Sequence, residues 1–116
     1  MNDSIQILSK LLDASALRHR VLANNLANVD TPRFKRQDVL FRDALAKAID
    51  SPDGSKVTDV QPRVSMDTVT PGRPDGNNVS TQRELGEMTE NALLYQFATR
   101  AINLKFSSLT KAIKGR

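Results

Sequence analysis

Residues 81–114 read TQRELGEMTENALLYQFATRAINLKFSSLTKAIK, and this stretch decides the fold. Its apolar residues recur at alternating spacings of three and four, the a/d pattern of a coiled-coil helix about 50 Å long. Thr81 followed by Glu84 has the spacing of a capping box, and Asn78 and Ser80 are alternative caps. The seam of this helix consists of Leu85, Met88, Ala92, Tyr95, Thr99, Ile102, Phe106, Leu109 and Ile113.

A second apolar face lies about half a turn away from that seam. Helices with apolar residues on opposite faces are usually buried on both. We therefore expect one face of the helix to pack on the N-terminal helix and the other to pack on a different chain. The predicted intersubunit residues are Leu93, Phe97 and Leu104, with Ala101 beside them.

The rest of the chain divides into a second long helix and a turn-rich middle. Residues 4–28 contain neither Gly nor Pro and continue a three-four apolar spacing, whereas residues 29–79 hold all five prolines. In that middle, Asp38 is expected to cap a short helix near 39–49, and residues 57–69 to form one or two short extended segments. Pro52-Asp53-Gly54 predicts a turn.

These elements predict a mainly α fold in a single domain over residues 1–116. The N-terminal helix, 4–28, and the C-terminal heptad helix, 80–114, are expected to pair as an antiparallel, coiled-coil-like hairpin. The loop-rich middle, 29–79, carries the short helix and the extended segments.

Composition excludes most chemistry. The chain has no cysteine and one histidine, His19, so disulfide scaffolds, thiolate zinc sites and multi-histidine metal sites are excluded. Glu84, Glu87 and Glu90 lie near a helix start, where dipole complementation explains them. We find no candidate catalytic residue, expect no metal or cofactor and predict no enzyme. No stretch is long enough to span a membrane, and the N-terminus lacks the pattern of a cleaved signal peptide.

A basic cluster offers an alternative function. Arg33, Lys35, Arg36 and Arg42 are interleaved with Phe34, an arrangement that suits phosphate contacts. The same residues also suit a solvated loop. The alternative is a small coiled-coil adaptor that binds nucleic acid through the segment from Arg33 to Arg42.

Three asparagines close the N-terminal helix although they lower helix propensity. Asn24, Asn25 and Asn28 are expected to make side-chain hydrogen bonds to loop backbone or to a neighbouring subunit. The alternative is ordinary helix termination, and use at an interface is slightly favoured over it. With Thr31 and Pro32 they form the predicted loop anchor.

This segment resembles the signature of flagellar axial proteins, the rod and hook family. The matching stretches are Asn24 to Pro32 followed by Phe34 and Lys35, Asp75 to Val79, Glu90 to Gln96, and Leu104 to Leu109. The short middle is similar to that of proximal-rod members. Many axial proteins have glycine after Thr-Pro, whereas this chain has Arg33.

The resemblance implies a mechanical function. Subunits would pack their paired helices into a tubular rod that transmits torque and surrounds the export channel. Implied partners are like subunits, other rod proteins, the rod-base adaptor FliE and the MS-ring/export gate; neither nucleic acid nor direct membrane insertion is expected. The implied location is the periplasmic rod, reached by type III export without a cleaved signal peptide. Phe41 and Leu45 resemble an export-gate motif and equally form one face of the short helix.

Overall fold

The computed structural model describes residues 2–50, 57 and 59–115. The turn predicted at Pro52-Asp53-Gly54 lies outside these residues. Within the described residues, three α-helices and two strands follow in chain order: α1 Asn2–Ala27, β1 Gln37–Leu40, α2 Arg42–Ile49, β2 Arg63–Met66 and α3 Thr81–Lys114. The mainly helical fold class, with two long helices in contact and a short helix between them, is confirmed.

Helices α1 and α3 run antiparallel. Asn25, near the end of α1, contacts Glu84 near the start of α3, and Ser15 contacts Asn91 further along. Helix α3 has 34 residues and α1 has 26. Because both helices rise ~1.5 Å per residue, the last turns of α3 extend beyond the start of α1. The molecule is correspondingly elongated, with extents of 64 × 28 × 14 Å.

The middle of the chain forms a small antiparallel sheet beside α2. Strand β1 pairs with β2 so that Gln37 lies opposite Met66 and Leu40 lies opposite Arg63. Asp38 therefore belongs to a strand and is not the cap of α2, whose N-cap position is Phe41 without a side-chain hydrogen bond. The capping prediction was wrong because the strand pairing depends on a partner more than twenty residues away.

The apolar core lies between α2 and one side of α1. Its buried members come from both helices and from the segment before β2, and Ile7, Leu11 and Val39 pack against them. The buried residues are Ala14, Phe41, Leu45, Ala48, Val57 and Val60. The core is small, so the polar contacts described next carry much of the tertiary structure.

The ends of α3 are capped. The Ser80 hydroxyl accepts a hydrogen bond from the Arg83 N–H at 3.3 Å, so Ser80 and not Thr81 is the N-cap. Gly115 closes the helix with φ 70°, the left-handed conformation that glycine adopts without strain. With Ser80 as the N-cap, the third helical residue is Arg83, so Glu84 does not take part in a capping box.

Candidate assembly site

A buried ion pair joins Arg36, the residue before β1, to Glu84 near the start of α3. Nε of Arg36 lies 2.7 Å from Oε1 of Glu84, and the two side chains are 1% and 0% exposed. Arg36 also contacts Glu87 at 3.1 Å and Asp67 at 3.3 Å. Asn25 of α1 donates to Oε2 of Glu84 at 3.1 Å. Four separate segments of the chain therefore meet at one guanidinium and one carboxylate.

The electrostatics keep Arg36 charged. Burial alone lowers the pKa of its guanidinium, but the hydrogen bond and charge of Glu84, helped by Asp67 and Glu87, raise that pKa above its ordinary value. A buried charge is tolerated when it is paired and hydrogen-bonded in this way. Complementation of the helix dipole was therefore an incomplete explanation of Glu84, because its carboxylate binds Arg36 and Asn25.

Asp67 supports the same cluster from the segment after β2. Its carboxylate accepts hydrogen bonds from the Thr70 hydroxyl at 2.7 Å, the Thr70 N–H at 3.0 Å and the Val69 N–H at 2.9 Å. The Thr70 contacts come first in holding the pKa of Asp67 far below its ordinary value of 3.8, and the Val69 N–H and Arg36 add to them. Asp67 therefore stabilises the fold in its ionised form.

We expect acid to destabilise the chain through Asp67. Because its pKa is lowered on folding, its contribution is present above about pH 4 and is lost as pH falls toward the folded-state pKa. Urea unfolding should show a loss on the order of 2 kcal/mol between pH 5 and strongly acidic solution, and Asp67→Asn should flatten that loss. Asp13→Asn, which changes an exposed carboxylate on α1, is the matched control. An equal acid loss in Asp67→Asn and wild type would contradict the assignment.

The asparagines of the loop anchor bind backbone within their own chain. Asn25 is 0% exposed, donates to the Gln37 carbonyl at 2.8 Å and accepts from the Gln37 N–H at 2.9 Å. Asn28 donates to the Asn24 carbonyl at 2.8 Å and accepts from the Thr31 hydroxyl at 3.1 Å. Asn25 and Asn28 therefore bond within their own chain, and contact of the loop anchor with a neighbouring subunit stays a prediction. Pro32 follows in the same turn and is exposed.

Asn77 completes this anchor from the other side. Its side chain, 0% exposed, donates to the carbonyls of Asn28, Val29 and Thr31 at 2.9, 3.1 and 2.8 Å. Its Oδ1 accepts from the Val79 N–H at 2.7 Å. The loop after α1 is thus fixed to the residues that lead into α3.

The turn after Thr31-Pro32 forms without glycine. Arg33 has φ 64°, a left-handed conformation that costs roughly 1–2 kcal/mol in a residue with a side chain. Its N–H donates to the Asp75 carbonyl at 2.9 Å, which holds the turn in place. The turn therefore forms with arginine in the left-handed conformation.

Helix α3 faces α1 through a row that differs from the predicted seam by one residue. Its buried residues are Glu84, Asn91 and Ala98, spaced by seven. The seam residues border this row: Met88, Ile102 and Leu109 are partly buried, whereas Leu85, Tyr95 and Phe106 are 48%, 45% and 51% exposed. The displacement arises because Glu84 and Asn91 have polar partners on other elements, which apolar periodicity does not reveal.

The second face of α3 is exposed. Leu93, Phe97 and Leu104 are 63%, 66% and 69% exposed and lie on the side of the helix away from the buried row. Large apolar side chains that are aligned and solvated in this way are typical of an interaction surface.

Comparison with known proteins identifies the family. Residues 12–35, which include the loop anchor, match the family model for flagella basal body rod protein. Flagellar basal body rod protein FlgB of Borrelia hermsii is 31% identical over 129 residues, with 96% of each chain covered. The chain belongs to the FlgB family of flagellar basal body rod proteins.

Further relatives agree. The FlgB protein of Aeromonas hydrophila is 35% identical over 115 residues that cover 90% of this chain and 87% of its own. That of Bacillus subtilis is 29% identical and covers 97% and 94%. FlgB-family proteins are structural subunits of the rod and not enzymes. Among the described residues, none of the helices has the length and apolar character needed to cross a membrane.

Membership in the FlgB family displaces the nucleic-acid alternative, and the geometry explains why the basic cluster misled. Arg36 is buried in ion pairs, and Lys35 donates from Nζ to the Gly76 carbonyl at 2.5 Å. Arg42 contacts Glu90 at 3.4 Å on the surface. Of the four basic side chains, Lys35 and Arg36 are therefore engaged within the chain, whereas the Arg42 side chain is 73% exposed.

Sequence reasoning assigned no tertiary hydrogen bonds to three further asparagines of this chain. Asn77, Asn78 and Asn91 are buried, and Asn78 accepts from the Arg36 N–H at 2.6 Å and donates to the Asp67 carbonyl at 3.0 Å. The signal that was available is the pair Asn77-Asn78, placed just before the helix cap. Asparagine is favoured where a side chain replaces backbone hydrogen bonds.

Proposed function

We propose that the chain is a structural subunit of the proximal part of the flagellar rod. It assembles by helix packing with like subunits and other rod proteins into the tube that transmits torque and surrounds the export channel. The observation that supports this most directly is the exposed face of Leu93, Phe97 and Leu104 on a helix whose opposite side is occupied by α1. Burying that face against a neighbour would stabilise the assembly by roughly 25 cal/mol per Å² of apolar surface.

Of the remaining site residues, some hold α3 in position and others extend the surface that contacts a neighbouring subunit. The loop anchor fixes the end of α1 to the start of α3, and residues 1–116 act as one axial domain. The half-exposed seam residues, Leu85, Tyr95 and Phe106, lie beside the second face and widen the contact. A surface of this kind meets a different surface on the next subunit, and such heterologous contacts generate helical arrays.

The proposed location is the periplasmic rod, reached through the type III export gate without cleavage. The neighbours at its base are the adaptor FliE and the MS-ring/export gate, with neither nucleic acid nor membrane insertion involved. Mass spectrometry of purified hook–basal bodies from the source organism tests this. We expect the chain in fixed ratio to the other rod components, and its absence while they are present would overturn the proposal.

Phe41 and Leu45 are proposed as the export-gate motif, and both lie in the apolar core, 7% and 8% exposed. The motif is accessible only when the chain is unfolded. We expect Phe41→Ala to lower the amount of secreted protein, measured by immunoblot of culture supernatants, and to cost about 3–5 kcal/mol of stability.

The matched control is Leu22→Ala, since Leu22 is 0% exposed and lies outside the motif. It should destabilise the fold by about 2–5 kcal/mol and leave secretion unchanged. Normal secretion of Phe41→Ala, or an equal fall in both variants, would show that Phe41 is a core residue and not an export signal.

A further inference from the structure

Helix α3 presents to α1 the less apolar of two available rows. The row that faces α1 contains Glu84, Asn91 and Ala98, whereas Leu85 and Tyr95 of the predicted seam are about half exposed. Apolar burial alone would turn the seam toward α1. A rotation of α3 by roughly 60° about its axis would achieve that, because the seam lies on average about that far around the helix from the buried row at ~100° per residue.

Two polar ties oppose that rotation. Glu84 is bound by Arg36 at 2.7 Å and by Asn25 at 3.1 Å. Asn91, one heptad later, donates from Nδ2 to the Ser15 carbonyl of α1 at 2.8 Å. Such a rotation would break both ties and leave Arg36 without its nearest carboxylate. Truncating one partner of such a buried pair is costly because the other charge is left uncompensated.

The tie at Asn91 carries an energetic cost of its own. Asn91 is 2% exposed, and its Oδ1 has no hydrogen-bond partner among the described residues. Unpaired buried acceptors are rare and destabilising. Because burying Asn91 is destabilising, its position is better explained by specificity of packing than by stability. Single buried asparagines in coiled coils have this role, since they fix the register of the helices.

We propose that Glu84 and Asn91 are positioning residues that set the rotation of α3 on α1 and thereby hold the seam residues Leu85, Tyr95 and Phe106 outward. The helix then presents two apolar strips to its surroundings. Only the use of these strips in assembly rests on the proposed function. The rotation itself is a property of the isolated chain and is tested there.

Tyr95 reports the rotation directly. The chain has one tyrosine and no tryptophan, so its intrinsic fluorescence comes from this side chain. Tyr95 is 45% exposed and lies about one turn beyond Asn91. In Glu84→Ala/Asn91→Ala we expect α3 to rotate and bury the ring. The acrylamide quenching constant should fall to about half of the wild-type value, because acrylamide quenches by collision and reaches a buried ring less often.

Two further variants separate positioning from stability. Asn103→Ala makes the same change at an exposed position of α3 and should leave quenching unchanged. Asn91→Leu makes the present row more apolar and should therefore keep both the rotation and the quenching of wild type. A purely structural role for Asn91 predicts altered stability without a lower quenching constant.

The outcomes are decisive even if the double variant fails to fold. Circular dichroism identifies loss of helix, and Arg36→Met/Glu84→Ala/Asn91→Ala then decides, because it removes both ties without leaving the Arg36 guanidinium buried and unpaired. Reduced quenching in a folded variant supports the proposal. Unchanged or increased quenching in every folded variant overturns it, whatever the outcome of the rod-assembly experiments.

Discussion

Arg36→Met should remove about 3–5 kcal/mol from the free energy of unfolding, because it leaves the Glu84 carboxylate buried without its charged partner. Glu84 is 0% exposed, so water cannot replace the guanidinium unless the helix moves. Asn25 would be its remaining donor among the described residues. Urea denaturation followed by far-UV circular dichroism measures the loss.

The double variant Arg36→Met/Glu84→Leu is the control, since it removes both charges and keeps similar volume. We expect it to recover most of the loss, because replacing a whole buried pair by apolar residues is often neutral. A double variant as unstable as Arg36→Met would mean that the position tolerates no change of shape. A loss below about 1 kcal/mol in Arg36→Met would mean that the pair is solvated in solution.

Leu93→Ser/Phe97→Ser should abolish rod assembly and leave the isolated chain folded. These side chains are 63% and 66% exposed, so their removal costs the free chain little, whereas an interface loses two large apolar anchors. Swimming in soft agar and counts of basal bodies with complete rods measure assembly. Circular dichroism and a urea midpoint near that of wild type establish that the subunit folds.

The control for this variant uses polar positions of the same helix. Gln96 and Asn103 are exposed, and Gln96→Ser/Asn103→Ser removes comparable chain length without removing apolar surface. It should swim normally. Unimpaired swimming of Leu93→Ser/Phe97→Ser would show that this face contacts nothing in the rod.

The long helices were predictable because their signals are local. The apolar spacing of α3, its polar cap and the proline after α1 all lie within a few residues of the structure that they determine. The side of α3 that packs on α1 was not predictable in the same way. Glu84 and Asn91 are drawn inward by partners 48 and 76 residues away in sequence, and no periodic pattern contains that information.

The middle of the chain shows the same limit. Asp38 is a residue type that often caps helices, yet Gln37–Leu40 forms a strand because Arg63–Met66 lies alongside it. The basic cluster suggested phosphate contacts, but in the structure Arg36 pairs with the buried carboxylate of Glu84. In both cases a non-local partner overrode a local preference that was correctly identified.

The two polar ties of α3, at Glu84 and Asn91, both lie in its N-terminal half. The two ends of the helix are therefore held by the rest of the chain to different degrees. Glu84 and Asn91 belong to its first half, and Ala98 is the last residue that is buried among those the structure describes. We therefore expect backbone hydrogen bonds near residues 84–98 to open only with the whole fold, and those in the last turns, beyond the start of α1, to open by local fraying. On this expectation, one end of α3 is ordered by its own chain in the free subunit, and the other end adjusts its shape to the neighbour that packs against it.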